Sequence, residues 1–113
     1  MKRIEAIIRP DSLDAVRGAL EDAGFPGIMV SEIEGHGKQK GVSQQWRGQT
    51  YKVDLLPKVK VEIVAKDSQV DDIIRRIAQV TRTGQIGDGK IFISDVADAY
   101  RIRTGEKGDT ALS

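Results

Sequence analysis

The sequence predicts an α+β domain in which a four-stranded antiparallel sheet carries two helices on one face. Three observations lead there. First, the chain repeats itself. "RIEAIIRPDSLDAV" from Arg3 and "KVEIVAKDSQVDDI" from Lys60 both read as an alternating strand, a basic residue, Asp-Ser and a helix, with Ile4 matching Val61, Glu5 matching Glu62 and Ile7 matching Val64. Second, each repeat is followed by another strand-like segment, "IMVSEIE" from Ile28 and "KIFISDV" from Lys90. Third, a glycine follows each helical stretch, Gly24 and Gly84. The order βαβ–βαβ is that of the ferredoxin-like βαββαβ sandwich, in which two such units merge into one sheet.

Each element has its own signal. Arg3, Glu5 and Ile7 of the first strand share a face, because side chains alternate along a strand. Asp11-Ser12 and Asp67-Ser68 are expected to cap the two helices, their oxygens accepting free amide hydrogens of the first turn. The first helix carries Leu13, Val16, Leu20 and Ala23 at spacings of three and four, and Gly24 suits a left-handed C-cap. In the third strand Val59, Val61, Ile63 and Ala65 should meet the helices, leaving Lys58, Lys60, Glu62 and Val64 on the opposite face with Arg3, Glu5 and Ile7. The second helix carries Val70, Ile73, Ile74, Ile77 and Val80, and Gly84 is expected to end it. A sheet face that mixes charge with bulk is either solvated or pressed against another subunit; the pattern leaves both open.

Composition narrows the class. The 113 residues match one domain with a modest core, and 39% hydrophobic with 31% charged residues is ordinary for a soluble globular protein. A net charge of +1 supplies no bulk attraction to nucleic acid or membrane. With no cysteine, disulfides and thiolate metal sites are excluded, and a reducing cytosol is permitted. The segment "MKRIEAIIRPD" carries charges inside its apolar stretch, unlike the apolar region of a signal peptide. No apolar run approaches the ~20 residues of a membrane span.

Two segments exceed what the fold needs. Residues 35–58, "GHGKQKGVSQQWRGQTYKVDLLPK", have four glycines, many charges and no sustained amphipathic period. Structureless connections this long are uncommon, and most are functional or disordered. Trp46, Arg47 and Tyr51 are of the residue types that dominate interface energetics, which favours a partner-binding loop over a passive insertion. The other segment is "GQIGDGKIFI" from Gly84. Gly87, Gly89 and their neighbours can turn amide hydrogens toward an anion, with Lys90 as an added charge. It is not a Walker A loop or a dinucleotide fingerprint, because both open a helix and Lys90-Ile91 opens a strand. Taken alone it also fits a plain Asp-Gly turn. In "YRIRTGEKGD", Arg101 and Arg103 flank Ile102, and on a strand they would project to one side as a pair able to grip phosphates, or as a solvated edge. Lys38 and Lys58 sit at the two bases of the long loop.

These residues carry a resemblance. "TGQIGDGKIFISDV", from Thr83 to Val96, resembles the C-terminal signature of the PII signal-transduction proteins, the GlnB/GlnK family. "EAIIRP", "GHGKQKG", "LPKVKVEIV" and "RIRTGE" fall where that family has similar segments, so the likeness spans nearly the whole chain. It implies one domain over residues 1–113, a homotrimer, and ATP or ADP bound in each cleft between neighbours, with 2-oxoglutarate beside Mg-ATP. Residues about 37–55 resemble the family's T-loop, about 82–90 its B-loop and about 101–109 its C-loop. By the same resemblance Gly87, Asp88, Gly89 and Lys90 cradle the phosphates, and Arg101 and Arg103 arrive from the adjacent subunit. Val64 matches the position whose backbone reads the adenine, with Ile7, Met29 and Glu62 nearby. Gly35, His36, Gly37, Lys38 and Gln39 match the loop base over the phosphates. Gln39 would ligate Mg²⁺, which keeps few protein ligands and fills its shell with phosphate and small-ligand oxygens. Gly37, Lys38, Gln39, Lys40, Gly41 and Lys58 would surround 2-oxoglutarate.

The likeness also implies a cytoplasmic regulator without catalytic residues. Its partner would be an ammonium transporter, to which it could be recruited at a membrane, or a nitrogen-assimilation enzyme. Contacts would run through Trp46, Arg47 and Tyr51, and Tyr51 matches the family's modification position. The chain departs from the pattern at Met29 for threonine, His36 for an aromatic ring, Lys38 for arginine and "WRGQTY" around Tyr51. Two rival readings are weaker. An RNA-binding module needs aromatics on its central strands; strand one has none, and Phe92 stands alone on the last. A small phosphotransferase needs a base or nucleophile beside the phosphates, for which only His36 and Asp88 offer themselves.

Overall fold

A computed structural model describes residues 1–25, 27–37, 44–46, 49–51 and 54–112. Along the chain lie β1 (Lys2–Ile8), α1 (Leu13–Asp22), β2 (Met29–Gly37), β3 (Gln44–Trp46), β4 (Gln49–Tyr51), β5 (Asp54–Ala65), α2 (Val70–Thr81) and β6 (Lys90–Asp95). The main sheet has the order β2–β5–β1–β6, every neighbour antiparallel. Each βαβ unit is therefore split: β5 lies between β1 and β2, and β1 lies between β5 and β6. This is the ferredoxin-like arrangement the repeat predicted. No helix among the described residues is long and apolar enough to cross a membrane.

Period-two alternation decides which sheet face is covered. Ile4, Ala6 and Ile8 of β1 and Val59, Val61, Ile63 and Ala65 of β5 are buried against Val16 and Leu20 of α1 and Ile73 and Ile77 of α2. Glu5 faces Glu62, Arg3 faces Val64 and Ile7 faces Lys60 on the other face, as expected.

The helix entrances differ from the expectation. Neither Ser12 nor Gln69, the residues at the N-caps, makes a side-chain cap. Each helix is instead entered through a 3-10 turn, Pro10–Ser12 and Asp67–Gln69. Such a turn occupies the first donors with backbone carbonyls, as in Ser12 N–H to Arg9 O (3.0 Å) and Gln69 N–H to Lys66 O (2.9 Å). Gly24 behaves as predicted. At φ +86° it donates to Glu21 O (2.9 Å) while Phe25 N–H reaches Leu20 O (2.8 Å), the paired bonds of a Schellman ending. Gly84 does not end α2, which stops at Thr81 with Arg82 extended behind it. Thr81, not Val80, completes the buried stripe; its hydroxyl donates to Ile77 O (2.8 Å), which lets a polar residue sit in the core.

The long segment holds more strand than its composition suggested. β2 and β5 stay paired out to Gly37 opposite Asp54, so both bases of the loop belong to a two-stranded ribbon, and β3 and β4 form a short hairpin beyond it. Glycine weakens a strand but does not forbid it, and Pro57 is tolerated where β5 has run past the end of β1.

Ile73→Ala should lower stability by ~2–5 kcal/mol, because Ile73 is fully buried and its side chain would leave a cavity. Val80→Ala should cost well under half of that, Val80 being 40% exposed. Urea unfolding checks the pair; equal losses would contradict the assigned stripe.

Candidate functional site

Three elements converge at one end of the sheet: the end of β1, the segment leaving α2 and the entrance to β6. The Asp88 carboxylate joins them. Its Oδ2 accepts the backbone N–H groups of Thr83 (2.7 Å) and Gly84 (2.9 Å), and its Oδ1 accepts the Thr83 hydroxyl and Nη1 of Arg9 (2.7 Å). These bonds, the Thr83 hydroxyl and then the Arg9 guanidinium foremost, hold the Asp88 carboxyl far below the usual carboxylate range. Arg9 also donates through Nη2 to Ile86 O (2.9 Å), and Lys58 Nζ donates to Gly87 O (3.3 Å). Two cations thus hold the carbonyl side of the bend.

The donor side is open. Residues 86 and 87 form a turn, and among the described residues the N–H groups of Ile86, Gly87 and Gly89 donate to no acceptor. Gly87 and Gly89 have φ of +99° and +113°, which side-chain-bearing residues rarely adopt. Gly89 is constrained twice, since a Cβ there would stand 2.0 Å from Ile7 O. The bend can press against β1 only because that atom is missing. Lys90 follows at the head of β6, opposite Ile7.

The sequence-predicted residues divide into groups. Ile7 and Lys90 are neighbours on the open sheet face, where Met29 lies opposite Glu62 and Val64 opposite Arg3. Gly35 packs beside Lys58, whose Cγ would be 3.4 Å from a Cβ at that position. Lys58 and Arg9 line one hollow of about 370 Å³ together with Leu56, Pro57 and Gly87. His36 and Gly37 end β2, while Trp46 and Tyr51 lie on β3 and β4 opposite Gln49 and Gln44. Lys38, Gln39, Lys40, Gly41 and Arg47 lie outside the described residues.

The arginine pair differs from its expected form. Residues 102–104 form a turn, not a strand, closed by Gly105 N–H to Arg101 O (2.8 Å) with Gly105 at φ +77°. Arg101 bonds within its own loop, Nη1 to Glu106 Oε1 (2.9 Å) and Nη2 to Thr110 O (3.0 Å). Arg103 is exposed, and Ile102 beside it is 92% exposed.

Sequence reasoning missed Arg9 and Thr83 as parts of the site. Thr83 was within reach, because a hydroxyl and an amide five residues before an aspartate are a local hydrogen-bonding pattern. Arg9 was not: 79 residues separate it from Asp88, and only the β1–β6 pairing brings them together.

Comparison with known proteins places the chain in a family. The family model described as "Nitrogen regulatory protein P-II" matches residues 1–106. The chain belongs to the P-II family. It is 52% identical over 112 residues to nitrogen regulatory protein P-II 2 of Methanothermobacter thermautotrophicus, covering 99% of this chain and 97% of that one. It is 53% identical to nitrogen regulatory protein P-II 1 of Escherichia coli and 54% identical to the P-II protein of Azospirillum brasilense, in each case over 99% of this chain and 100% of the other. Within the P-II signature read in the sequence, Thr83 to Val96, the Asp88 carboxylate holds Thr83 and Gly84.

Gly89→Ala should destabilise the protein by more than ~1 kcal/mol, since it combines a contact against backbone with an unfavourable φ. Gly18→Ala, inside α1 with no atom within 4 Å of the added carbon, should stabilise by ~0.4–1 kcal/mol. Thermal unfolding of the two variants should give opposite shifts in Tm.

Proposed function

We propose that the chain is a nucleotide-responsive regulator of nitrogen metabolism, a homotrimer that takes ATP or ADP in each cleft between subunits and acts on partner proteins through residues 37–55. The bend carries this reading. The N–H groups of Ile86, Gly87 and Gly89, without an acceptor among the described residues and followed by Lys90, form a donor set suited to phosphate oxygens. The open sheet face next to it offers Ile7, Glu62 and Val64 to the base and ribose, with Met29 as an apolar wall. Arg101 and Arg103 of the adjacent subunit would close the cleft. Exposed apolar residues such as Phe92 (56%) and Ile102 (92%) support burial against another copy. The relatives are nitrogen regulatory proteins, which supports the regulatory role.

Mg²⁺ bound with ATP would neutralise phosphate charge and offer coordination positions to the 2-oxo acid group of 2-oxoglutarate. Gln39 would be its protein ligand. Lys58, beside Arg9 in the hollow, would face the distal carboxylate. Lys38, Lys40 and Gly41 would close over the ligands, and redirecting the loop would change what Trp46, Arg47 and Tyr51 present to an ammonium transporter or a nitrogen-assimilation enzyme. A catalytic role is disfavoured at Asp88, because its carboxylate is held ionised by four donors and is a poor proton acceptor.

Light scattering should give about three times the 12.4 kDa chain mass, and calorimetry should detect ATP and ADP. Lys90→Ala should weaken ATP about ten- to hundredfold without changing the assembly, because losing a charged hydrogen bond costs ~1.5–3 kcal/mol. A wild-type chain that takes no nucleotide, or a Lys90→Ala variant with undiminished ATP affinity, rejects the phosphate reading.

A ligand shifts a conformational equilibrium only through its different affinity for the two states, and the coupling between two ligands is reciprocal. 2-Oxoglutarate should therefore bind with Mg-ATP, hardly at all with ADP, and should tighten ATP in return. Gln39→Ala should remove the coupling and keep much of the ATP affinity. Calorimetry showing equal 2-oxoglutarate binding with either nucleotide would refute the switch.

A further inference from the structure

An aspartate in the middle of an anion-binding bend poses an electrostatic problem. A carboxylate beside phosphate repels it unless its charge is matched and its lone pairs are occupied. An ionised carboxylate has about four acceptor positions. Asp88 receives four donors: the Thr83 N–H, the Thr83 hydroxyl, the Gly84 N–H and the Arg9 guanidinium. Little capacity remains for a ribose hydroxyl or a cation, and the Arg9 charge offsets its own.

The bend also has a conformational problem. Gly87 and Gly89 allow the backbone to approach β1 but leave it many alternatives, since glycine restricts its own φ and ψ least. A row of amides binds an anion well only when the donors already point to one place, so that binding does not have to order them. Three fixed points supply the order. Thr83 ties Asp88 to the end of α2, Arg9 ties Asp88 and the Ile86 carbonyl to the end of β1, and the Thr83 hydroxyl also accepts the Gln85 N–H (3.1 Å). The Arg9 and Asp88 side chains are 28% and 22% exposed, so the ion pair is partly withdrawn from solvent and less screened than a surface pair.

From this arrangement we infer that Arg9, Thr83 and Asp88 are positioning residues for the phosphate loop: together their side chains form a clamp that aims the amides of Ile86, Gly87 and Gly89, and none of the three side chains needs to touch the nucleotide. The inference rests on the nucleotide reading proposed above and reassigns Asp88 from a ligand contact to a support. It differs from a direct-contact role in two measurable ways. Removing one arm should release the same restraint as removing two. A conservative change that keeps the hydroxyl should keep the clamp.

The test is ATP calorimetry on the trimer as wild type, Thr83→Val, Thr83→Ser, Arg9→Met, Asp88→Asn and the double variant Arg9→Met/Asp88→Asn, with circular dichroism melts alongside. Thr83→Val is isosteric at an exposed position and leaves the core untouched, so it stays informative if an Arg9 or Asp88 variant fails to fold. The clamp predicts about tenfold or greater loss of ATP affinity in Thr83→Val. It predicts near wild-type affinity in Thr83→Ser, and a double variant no worse than its worse single. Undiminished ATP affinity in Thr83→Val, equal loss in Thr83→Ser, or losses that multiply in the double variant overturn the clamp while leaving nucleotide binding in place. A wild-type chain that takes no ATP overturns the nucleotide reading and the clamp together.

Discussion

The Asp88 carboxylate is the junction on which this end of the molecule depends. It joins the residues leaving α2, the glycine bend and, through Arg9, the last residue before the chain turns away from β1. Without it the connection from Thr81 to Lys90 would be a glycine-rich tether between a helix and an edge strand. With it, the bend has a carbonyl side held by Arg9 and Lys58. The close approach of Gly89 to Ile7 O completes the constraint, because the bend can be clamped onto β1 only where no Cβ intervenes.

The two sheet faces divide the work. Buried aliphatic residues of β1 and β5 hold both helices. The opposite face is built for something other than a core. Glu5 and Glu62 are paired directly across β1 and β5, an unfavourable arrangement for like charges unless cations stand close. Lys60 Nζ lies 3.6 Å from Glu62, and Arg3 Nε lies 3.9 Å from it, buried and without a hydrogen bond. A face with matched charges, an exposed Phe92 and an under-satisfied arginine is better suited to a partner surface or ligand than to open water.

Where expectation and structure parted, local rules yielded to neighbours. Asp-Ser signals a helix start, and the helices do start there, but a 3-10 turn supplies the first acceptors in place of Ser12 and Ser68, and at the second helix Gln69 Oε1 accepts the Lys66 N–H (3.1 Å). Val80 fits the apolar period of α2, yet the geometry at the end of the helix buries Thr81, whose hydroxyl finds a carbonyl one turn back. Arg101 and Arg103 alternate as strand residues would, but Gly105 at positive φ closes a turn and sends Arg101 into its own loop.

The sequence by itself determined the fold and the family. Alternation in β1 and β5, the three-and-four spacing in α1 and the internal repeat are properties of adjacent residues, legible because secondary-structure periods are short. It also marked the bend and Lys90 as a candidate anion site, since glycine, aspartate and lysine in a row restrict what the backbone can do. Tertiary structure alone decided how that bend is held. Arg9 and Asp88 meet because β1 and β6 are neighbours in the sheet, and Lys58 reaches Gly87 because β5 is the other neighbour of β1. A hydrogen bond across 79 residues leaves no periodic trace in one sequence; it depends on strand order and register, which are settled by packing the whole sheet.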